Sequence, residues 1–367
     1  MLKPPFRAEH VGSLLRPRAL KEAGKAWQRG ELSQAAFDEV LGREVARAVR
    51  LQESVGLRSI TDGEFGRSSW FGFFFERMTG FTLQPSRFRF HDEQGQQYEW
   101  PTCFAVDKMR RTAPICVDEF ERLQGFTTQT AKANMPSPTA FHFFRGDQCR
   151  DEAAYPDIEM WWQDLIAVYQ AEIRDLAAAG CRYLQIDEVP AAMLCDPDVQ
   201  DQVREMGHDP GQLLQKYIGV VNEVLAARPP EMTVGMHLCR GNFRSRWMAQ
   251  GGYDPIAEAW FNQVNVDAFF LEYDSERAGT FAPLQYVGVD KQVVLGLITS
   301  KTADLEDKDT LKRRVAEAAA YMPLERLSIS PQCGFASVAG GNALTEEEQM
   351  RKLALVVEVA DEIWGEA

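Results

Sequence analysis

Two residues with metal-binding side chains, His237 and Cys239, are two positions apart in the stretch MHLCRGN, residues 236–242. In an extended strand, side chains two positions apart point to the same side. An imidazole nitrogen and a thiolate sulfur are both ligands that zinc prefers. The pair alone fits two readings, half of a metal site or two neighbouring core residues, so the remaining ligands must come from elsewhere in the chain.

The composition restricts the class of protein. The chain has 367 residues, of which 45% are hydrophobic and 26% charged, as is typical of a globular protein with a large core. A net charge of −14 argues against general binding to nucleic acid or to an anionic membrane, because both attract basic surfaces. The sequence also lacks the pattern of a membrane span or a signal peptide. Seven scattered cysteines do not suggest a disulfide framework, so we expect a cytoplasmic location.

Short β-rich runs alternate with helical patterns along almost the whole chain. Alternation of this kind indicates parallel βαβ units. The sequence therefore predicts the α/β class and, within it, a (β/α)8 TIM barrel formed by residues 1–367 as a single domain. A segment at about 66–125 interrupts the alternation, and we interpret it as an insertion that contains a β-hairpin after the second strand. The predicted strands are 8–13, 58–65, 133–138, 181–190, 233–239, 267–274, 291–300 and 327–333.

In a barrel of this type the carboxyl ends of the strands meet at one mouth, where active sites lie. Cys333 follows the eighth predicted strand, and Glu272 lies at the end of the sixth, beside the strand that carries His237 and Cys239. Two thiolates, one imidazole and one carboxylate suit a tetrahedral zinc ion. We therefore predict a zinc site formed by these four residues, and structural roles for the other five cysteines.

This ligand set also indicates a class of reaction. Two thiolates and one carboxylate give the zinc site a net charge of about −1, which makes the ion a weak Lewis acid. Such a site is better suited to lowering the pKa of a substrate thiol from about 8.5. The predicted reaction is S-alkylation, in which a thiolate attacks an electrophilic carbon.

Six stretches of the sequence together resemble a known family. They resemble the C-terminal catalytic barrel of cobalamin-independent methionine synthase, and more closely the single-barrel members of that superfamily. The resemblance implies zinc-dependent transfer of a methyl group to a small-molecule thiol, homocysteine, from methyl-folate or another methyl donor. It leaves open whether the chain forms a homo-oligomer. The stretches are HVGSLLRP (10–17), TDGEFGR (61–67), LQIDEVP (184–190), MHLCRGN (236–242), FFLEYDSERAG (269–279) and LSISPQCGFAS (327–337).

The resemblance also implies which residues hold the amino-acid part of the thiol substrate. Ser13 and the neighbouring backbone would bind its carboxylate, while Glu64 and Asp187 would bind its ammonium group, and Asp187 is also a candidate catalytic residue. Charge supports these roles, because carboxylates neutralise an ammonium and a Gly-Ser turn offers hydrogen-bond donors to a carboxylate. The alternatives are a turn residue for Ser13 and a helix cap or rim ion pair for Asp187.

The departures from the family pattern concern the methyl donor. Where the family has a general-acid histidine after the seventh strand, this chain has Thr299, whose hydroxyl cannot donate a proton near neutral pH. Phe143 stands roughly where the family has a tryptophan that stacks on the pterin. We predict that the adjacent His142 is a catalytic residue that replaces the missing acid, with a role in the loop as the alternative.

Three arginines follow the fifth predicted strand, at positions 240, 244 and 246. We predict that Arg240 binds an anionic group of a substrate, since a guanidinium forms bidentate contacts with anions; surface salt bridges are the alternative. A thiol with a sulfonate group would favour another function, zinc-dependent alkyl transfer of the epoxyalkane:coenzyme M transferase type. A lyase of the uroporphyrinogen decarboxylase type and a non-catalytic zinc protein are further alternatives.

Overall fold

The computed structural model describes residues 3–91, 97–242 and 244–365, without the side chains of residues 90, 91, 97 and 98. The strands within these residues are β1 (Ser59–Ile60), β2 (Met78–Pro85), β3 (Phe90–His91), β4 (Gln97–Tyr98), β5 (Pro101–Arg111), β6 (Thr130–Ala131), β7 (Ala133–Pro136), β8 (Tyr183–Glu188), β9 (Thr233–Leu238), β10 (Ala268–Glu272), β11 (Gln292–Ile298) and β12 (Leu327–Pro331). The α-helices are α1 (Arg18–Gln28), α2 (Gln34–Ser54), α3 (Gly72–Glu76), α4 (Val117–Gln124), α5 (Ala140–Phe143), α6 (Ile158–Ala178), α7 (Pro190–Met193), α8 (Pro197–Glu205), α9 (Pro210–Leu225), α10 (Asp254–Gln263), α11 (Lys308–Ala318) and α12 (Glu346–Trp364).

A parallel sheet forms the centre of the molecule, with its strands in the spatial order β7-β8-β9-β10-β11-β12. Each strand therefore pairs with the next one along the chain, as expected for successive βαβ units. At one edge, β1 pairs in parallel with β6, which leads directly into β7. At the other edge, Ala8 forms a parallel bridge with Ile329 of β12. These pairings confirm the predicted α/β class and the parallel order of the strands.

Helix ends follow the signals in the sequence. In α6, the Asp157 side chain accepts a hydrogen bond from the Glu159 N–H, and in α12 Thr345 and Glu348 form a capping box. The apolar periodicity of the sequence predicts helices at 156–180 and 345–364, and both are present. Helices α1, α4 and α8 are not among the predicted helices, although Asp196 before Pro197 is a recognisable start signal for α8.

An antiparallel pair of strands, β2 and β5, lies between β1 and β6 in chain order. Helix α3 precedes it and buries three consecutive phenylalanines, Phe73 to Phe75. Among the described residues, no helix combines the length and the apolar character that crossing a membrane requires.

A buried ion pair lies inside the sheet. The Lys132 ammonium contacts the Glu9 carboxylate at 3.2 Å, and both side chains are 0% exposed. Glu9 also accepts hydrogen bonds from the Ser59 hydroxyl at 2.7 Å and the Tyr183 hydroxyl at 3.0 Å. Both charges are thus compensated by partners on several strands, which makes the pair sensitive to the loss of either member.

We expect Lys132→Met to lower the free energy of unfolding by about 3–5 kcal/mol, because the Glu9 carboxylate would remain buried without its counter-charge. Urea denaturation measures this change. The control is Lys216→Met, which removes an exposed ion pair with Glu159 and should cost less than about 1 kcal/mol. Equal effects of the two substitutions would contradict the interpretation.

Candidate metal centre

The carboxyl ends of β9 and β12 bring three metal-binding side chains together. His237 lies on β9, Cys239 follows that strand, and Cys333 follows β12. Their ligand atoms lie within 4.8 Å of one another, and all three residues are buried. The two sulfurs are 3.6 Å apart and both cysteines are free. Two thiolates on a tetrahedral zinc ion, with Zn–S bonds of about 2.3 Å, would be about 3.8 Å apart, so the observed spacing fits a metal.

Electrostatics at this group favour the thiolate of Cys333. Hydrogen bonding from Cys239, followed by that from His237, holds the pKa of Cys333 well below its usual value, although burial acts in the opposite direction. Burial alone would lower the pKa of His237, but hydrogen bonds with Asp187 and Cys333 raise it to about 10. The thiolate is the form of cysteine that binds a metal ion.

A carboxylate orients the imidazole of this group. His237 Nδ1 lies 3.2 Å from Asp187 Oδ1, and the same oxygen accepts a hydrogen bond from Gln185 Nε2 at 2.8 Å. His237 Nε2 lies 3.2 Å from the carbonyl oxygen of Gln332, the residue before Cys333. A histidine that donates from one ring nitrogen to a carboxylate presents the other nitrogen to a metal.

Glu272, the predicted fourth ligand, lies beside the group but outside it. The register of β9 and β10 pairs Leu238 with Leu271, so the following residues, Cys239 and Glu272, are neighbours. The structure thus brings together three of the four predicted ligands and leaves the Glu272 carboxylate adjacent to them.

Three cationic residues hold the Glu272 carboxylate. One oxygen lies 3.1 Å from Arg277 Nη2 and 3.4 Å from Lys301 Nζ, while the other accepts a hydrogen bond from the Arg240 backbone N–H at 3.1 Å. Burial would raise the pKa of Glu272, but Lys301, Arg240 and Arg277 lower it to about 2. Glu272 is therefore ionised, as a metal ligand must be.

Arg240, the predicted substrate-binding arginine, has its partners within the protein. Its side chain is fully buried, donates to the Gly251 carbonyl at 2.9 Å and to the Tyr253 hydroxyl at 3.1 Å, and stacks on the Tyr253 ring. It does not line the cavity described below. The loop that carries Gly251 and Tyr253 covers the Arg240 guanidinium. This group lies 3.7 Å from the Glu272 carboxylate and stabilises the negative charge of that carboxylate.

A cavity of about 310 Å³ opens over the group. The predicted substrate residues Ser13, Glu64 and Asp187 line it together with the three metal-binding side chains. Ser13 packs against the segment after Cys333: a Cβ added to Gly334 would lie only 1.9 Å from Ser13 Oγ. A glycine at 334 is therefore required for Ser13 to reach this position.

Glu64 has an unusual backbone and an unsatisfied side chain. Its φ of 58° lies in the left-handed region, which is rare for residues other than glycine. The Asp62 side chain accepts from its N–H at 2.8 Å, and Arg16 donates to its carbonyl at 2.7 Å. One carboxylate oxygen is buried without a hydrogen-bond partner among the described residues. Burial is the main cause that raises the pKa of Glu64 to about 7.

His142, the predicted catalytic acid, also has its partners within the protein. Its ring nitrogens contact the Tyr217 hydroxyl and an Asp147 oxygen, both at 2.9 Å, and the side chain does not line the cavity. Phe143 stacks on Phe88 and also points away from the cavity. The next residue, Phe144, does line it.

Sequence reasoning missed the aromatic wall of the cavity. Four of its five residues belong to the segment predicted as an insertion, where the run WFGFFF and the later YEWP carry an unusual density of rings. This density of rings was a detectable signal, but it does not indicate which way the side chains point. The wall consists of Trp70, Phe71, Phe75, Trp100 and Phe144.

The chain is similar to several known proteins. Residues 6–361 match the model of the cobalamin-independent synthase catalytic domain. The chain is 39% identical to the uncharacterized protein YxjH of Bacillus subtilis, over 99% of this chain and 96% of that protein. It is 23% identical to the 5-methyltetrahydropteroyltriglutamate–homocysteine methyltransferase of Thermosynechococcus vestitus, over 90% of this chain but only 40% of that enzyme's length.

Two solved structures share the fold. A candidate vitamin-B12-independent methionine synthase from Listeria monocytogenes has a TM-score of 0.76 and 36% identity, with each chain covered completely. A B12-independent methionine synthase from Shewanella sp., in complex with selenomethionine, has a TM-score of 0.72 and 18% identity over 97% of each chain. Because the family model spans nearly the whole chain, the protein is an enzyme of the cobalamin-independent methionine synthase family, a family of methyltransferases.

Proposed function

We propose that the protein transfers a methyl group to the sulfur of homocysteine and so produces methionine. The observation that carries the proposal is the buried group of His237, Cys239 and Cys333 at the base of a cavity that Glu64 and Asp187 also line. A thiol substrate needs both features, a site for its sulfur and carboxylates for its ammonium group. We place this site at the mouth of a closed (β/α)8 barrel.

Zinc is the metal we propose, held by His237, Cys239 and Cys333, with Glu272 as the fourth ligand. When bound, zinc would stabilise the thiolate form of the substrate. Asp187 orients the His237 ring, and Arg240, Arg277 and Lys301 keep Glu272 ionised beside Cys239. These contacts are the contribution of the chain itself: they fix the ligands before the substrate arrives.

The remaining residues of the cavity suit the amino-acid part of homocysteine. Glu64 offers a buried oxygen without a partner among the described residues, and Asp187 lines the same cavity, so an ammonium group would satisfy both. Ser13 would bind the carboxylate, as proposed from the sequence. Methyl transfer to homocysteine is also the activity in the names of several more distant relatives, such as the Thermosynechococcus enzyme.

The alternative, alkyl transfer to a thiol that carries a sulfonate, finds less support. A sulfonate requires cationic partners, and the described residues that line the cavity include no lysine or arginine. Arg240, which had suggested this alternative, is buried behind Glu272 instead.

The test is an assay of zinc-loaded protein with homocysteine or coenzyme M as the thiol, combined with a panel of methyl donors. We expect methylation of homocysteine and none of coenzyme M. Methylation of coenzyme M alone would refute the choice of homocysteine. Failure of homocysteine to change the metal's ligand sphere, measured by X-ray absorption, would refute binding of its sulfur at the metal.

We expect the affinity for methionine, whose sulfur does not ionise, to rise between pH 6 and pH 8. The pKa of Glu64 is raised to about 7, mainly by burial, so its carboxylate becomes available to the ammonium group as the pH rises through that value. Asp187 and Asp62 raise this pKa further, whereas Arg67 and Arg16 lower it. Isothermal titration calorimetry measures the effect.

The matched control is Glu64→Gln, which keeps the size of the side chain and cannot ionise. In this variant the affinity for methionine should be lower and should change little over the same pH range. An unchanged pH profile in the variant would assign the titration to another group and contradict the role of Glu64.

A further inference from the structure

We propose that the methyl donor is an onium cation, a sulfonium or a quaternary ammonium compound that carries its methyl group on a positively charged atom. The inference rests on the proposed methylation of a thiol and concerns only the second substrate. Three independent features of the cavity support it: its charge, its aromatic wall, and the absence of a histidine placed to protonate a leaving group.

The charge of the cavity suits a cation. Its described lining includes the carboxylates of Glu64, Asp187 and Glu76, and no lysine or arginine. Glu64 and Asp187 are assigned to the ammonium group of homocysteine, which leaves Glu76 at the rim, where the Ser68 hydroxyl donates to it at 3.2 Å. A donor with a polyglutamate tail would bring further carboxylates to this acidic wall.

An anionic tail would instead have to reach the adjoining cleft, which shares Ser68 and Glu76 with the cavity. Two of the arginines in that cleft already have partners. Arg67 contacts Glu119 at 2.8 Å, and Arg77 contacts the same carboxylate at 3.1 Å. These two guanidinium groups are therefore largely neutralised by the protein itself. Arg16, Lys21, Lys25 and Arg122 also line the cleft, so an anionic tail would find its cations there, whereas the described lining of the cavity itself offers none.

The aromatic wall suits a methylated cation. Ring centroids are 5.6 Å apart for Trp70 and Phe71, 6.3 Å for Phe71 and Phe144, and 4.4 Å for Phe144 and Trp100. These contacts join the rings into one continuous surface. Sulfonium and quaternary ammonium groups bind to the faces of such rings at distances of up to about 6 Å.

The third feature is the proton requirement of the leaving group. A methyl-folate releases an amine that must be protonated, but His142 faces Tyr217 and Asp147 and does not line the cavity. Among the described residues that line the cavity, His237 is the only histidine, and it belongs to the metal-binding group. An onium donor removes the requirement, because its leaving group departs as a neutral molecule.

The transfer balances without any additional reactant. The thiol of homocysteine loses its proton to water, and the thiolate sulfur forms a new bond to the methyl carbon. The bond from that carbon to the onium atom breaks, and its electron pair stays with the departing sulfur or nitrogen. The products are methionine and a neutral thioether or tertiary amine.

Binding of a cation can be tested without methyl transfer. Isothermal titration of the zinc-loaded protein compares choline with 3,3-dimethylbutanol, its neutral carbon isostere. We expect choline to bind about tenfold more tightly, the effect of one favourable cation–π contact in a desolvated site. Equal affinity of the two compounds would overturn the inference.

Variants locate the binding site. Trp70→Leu should reduce the preference for choline about tenfold, whereas Trp27→Leu should leave it unchanged, since Trp27 is 40% exposed on α1 and does not line the cavity. Glu76→Gln should also reduce the preference for choline over its neutral isostere. Loss of the preference in the Trp27→Leu protein, or its retention in both other variants, would place the cation elsewhere and overturn the inference.

Turnover separates this inference from the proposed function. Zinc-loaded protein and homocysteine are supplied in turn with trimethylsulfonium, S-methylmethionine, choline, and methyl-folate carrying one or three glutamates. Methionine from a sulfonium compound or from choline would support the inference and identify which class of onium atom is used. Methionine from methyl-folate alone would overturn it and leave the proposed function intact. Methionine from none of these donors would overturn both.

Discussion

Replacement of Cys239 by serine is expected to abolish stoichiometric zinc binding and, with it, the formation of methionine. The serine hydroxyl stays protonated near neutral pH and is a poor ligand for zinc. Cys239 also contributes one of the two sulfurs that lie 3.6 Å apart. Loss of a residue that only supports a ligand costs about 10–100-fold in metal affinity, so loss of the ligand itself should cost more.

Competition with a chromophoric zinc chelator measures this loss, and an assay with homocysteine measures the activity. The matched control is Cys195→Ser, because Cys195 is also a buried free cysteine and does not belong to the metal-binding group. This control should retain its zinc. Stoichiometric zinc in the Cys239→Ser protein would contradict the proposed centre, and loss of zinc from both variants would indicate general destabilisation.

The α/β class and the parallel order of the strands were predictable because parallel strands that are buried on both faces form short apolar runs. The runs at 183–188 and 292–298 are almost completely buried in the structure, and both were predicted as strands. The meeting of Cys239 and Cys333 was predictable for a related reason. Parallel strands end at the same edge of a sheet, so residues 94 positions apart in the chain become neighbours.

The directions of the loop side chains could not be predicted in the same way. Arg240 follows β9 directly, but the Tyr253 hydroxyl and the Gly251 carbonyl, which come later in the chain, hold its guanidinium. The orientation of His142 depends on Tyr217, which lies 75 positions away on α9. Such contacts depend on how whole loops and helices pack, and no periodicity within the sequence encodes them.

The Glu272 carboxylate illustrates a partial success. Its position next to Cys239 followed from the pairing of β9 with β10, but its contacts with Arg277 and Lys301 come from the loops after β10 and β11. These two cations stabilise the carboxylate when it is not bound to a metal. In the proposed zinc centre, Glu272 would exchange between the metal and these cations without becoming an unpaired buried charge.

We expect Asp187→Asn to weaken the binding of both homocysteine and zinc. Asparagine cannot neutralise the ammonium group, so the affinity for homocysteine at saturating zinc should fall about tenfold or more, as for loss of a hydrogen bond between charged groups. The substitution also removes the charged partner of His237, because Asp187 Oδ1 lies 3.2 Å from His237 Nδ1 and asparagine is neutral. The affinity for zinc should therefore fall about 10–100-fold. Calorimetry with homocysteine and chelator competition measure the two effects separately.

The matched control is Asp267→Asn, which makes the same chemical change before the start of β10, at the opposite end of the sheet. Asp267 contacts Arg228 at 2.6 Å and is 43% exposed, so this variant should keep both affinities. A fall in zinc affinity alone would limit Asp187 to positioning His237 and would move the ammonium site to Glu64. Wild-type values for both affinities in Asp187→Asn would contradict both roles, because no other carboxylate in the described structure contacts His237 Nδ1.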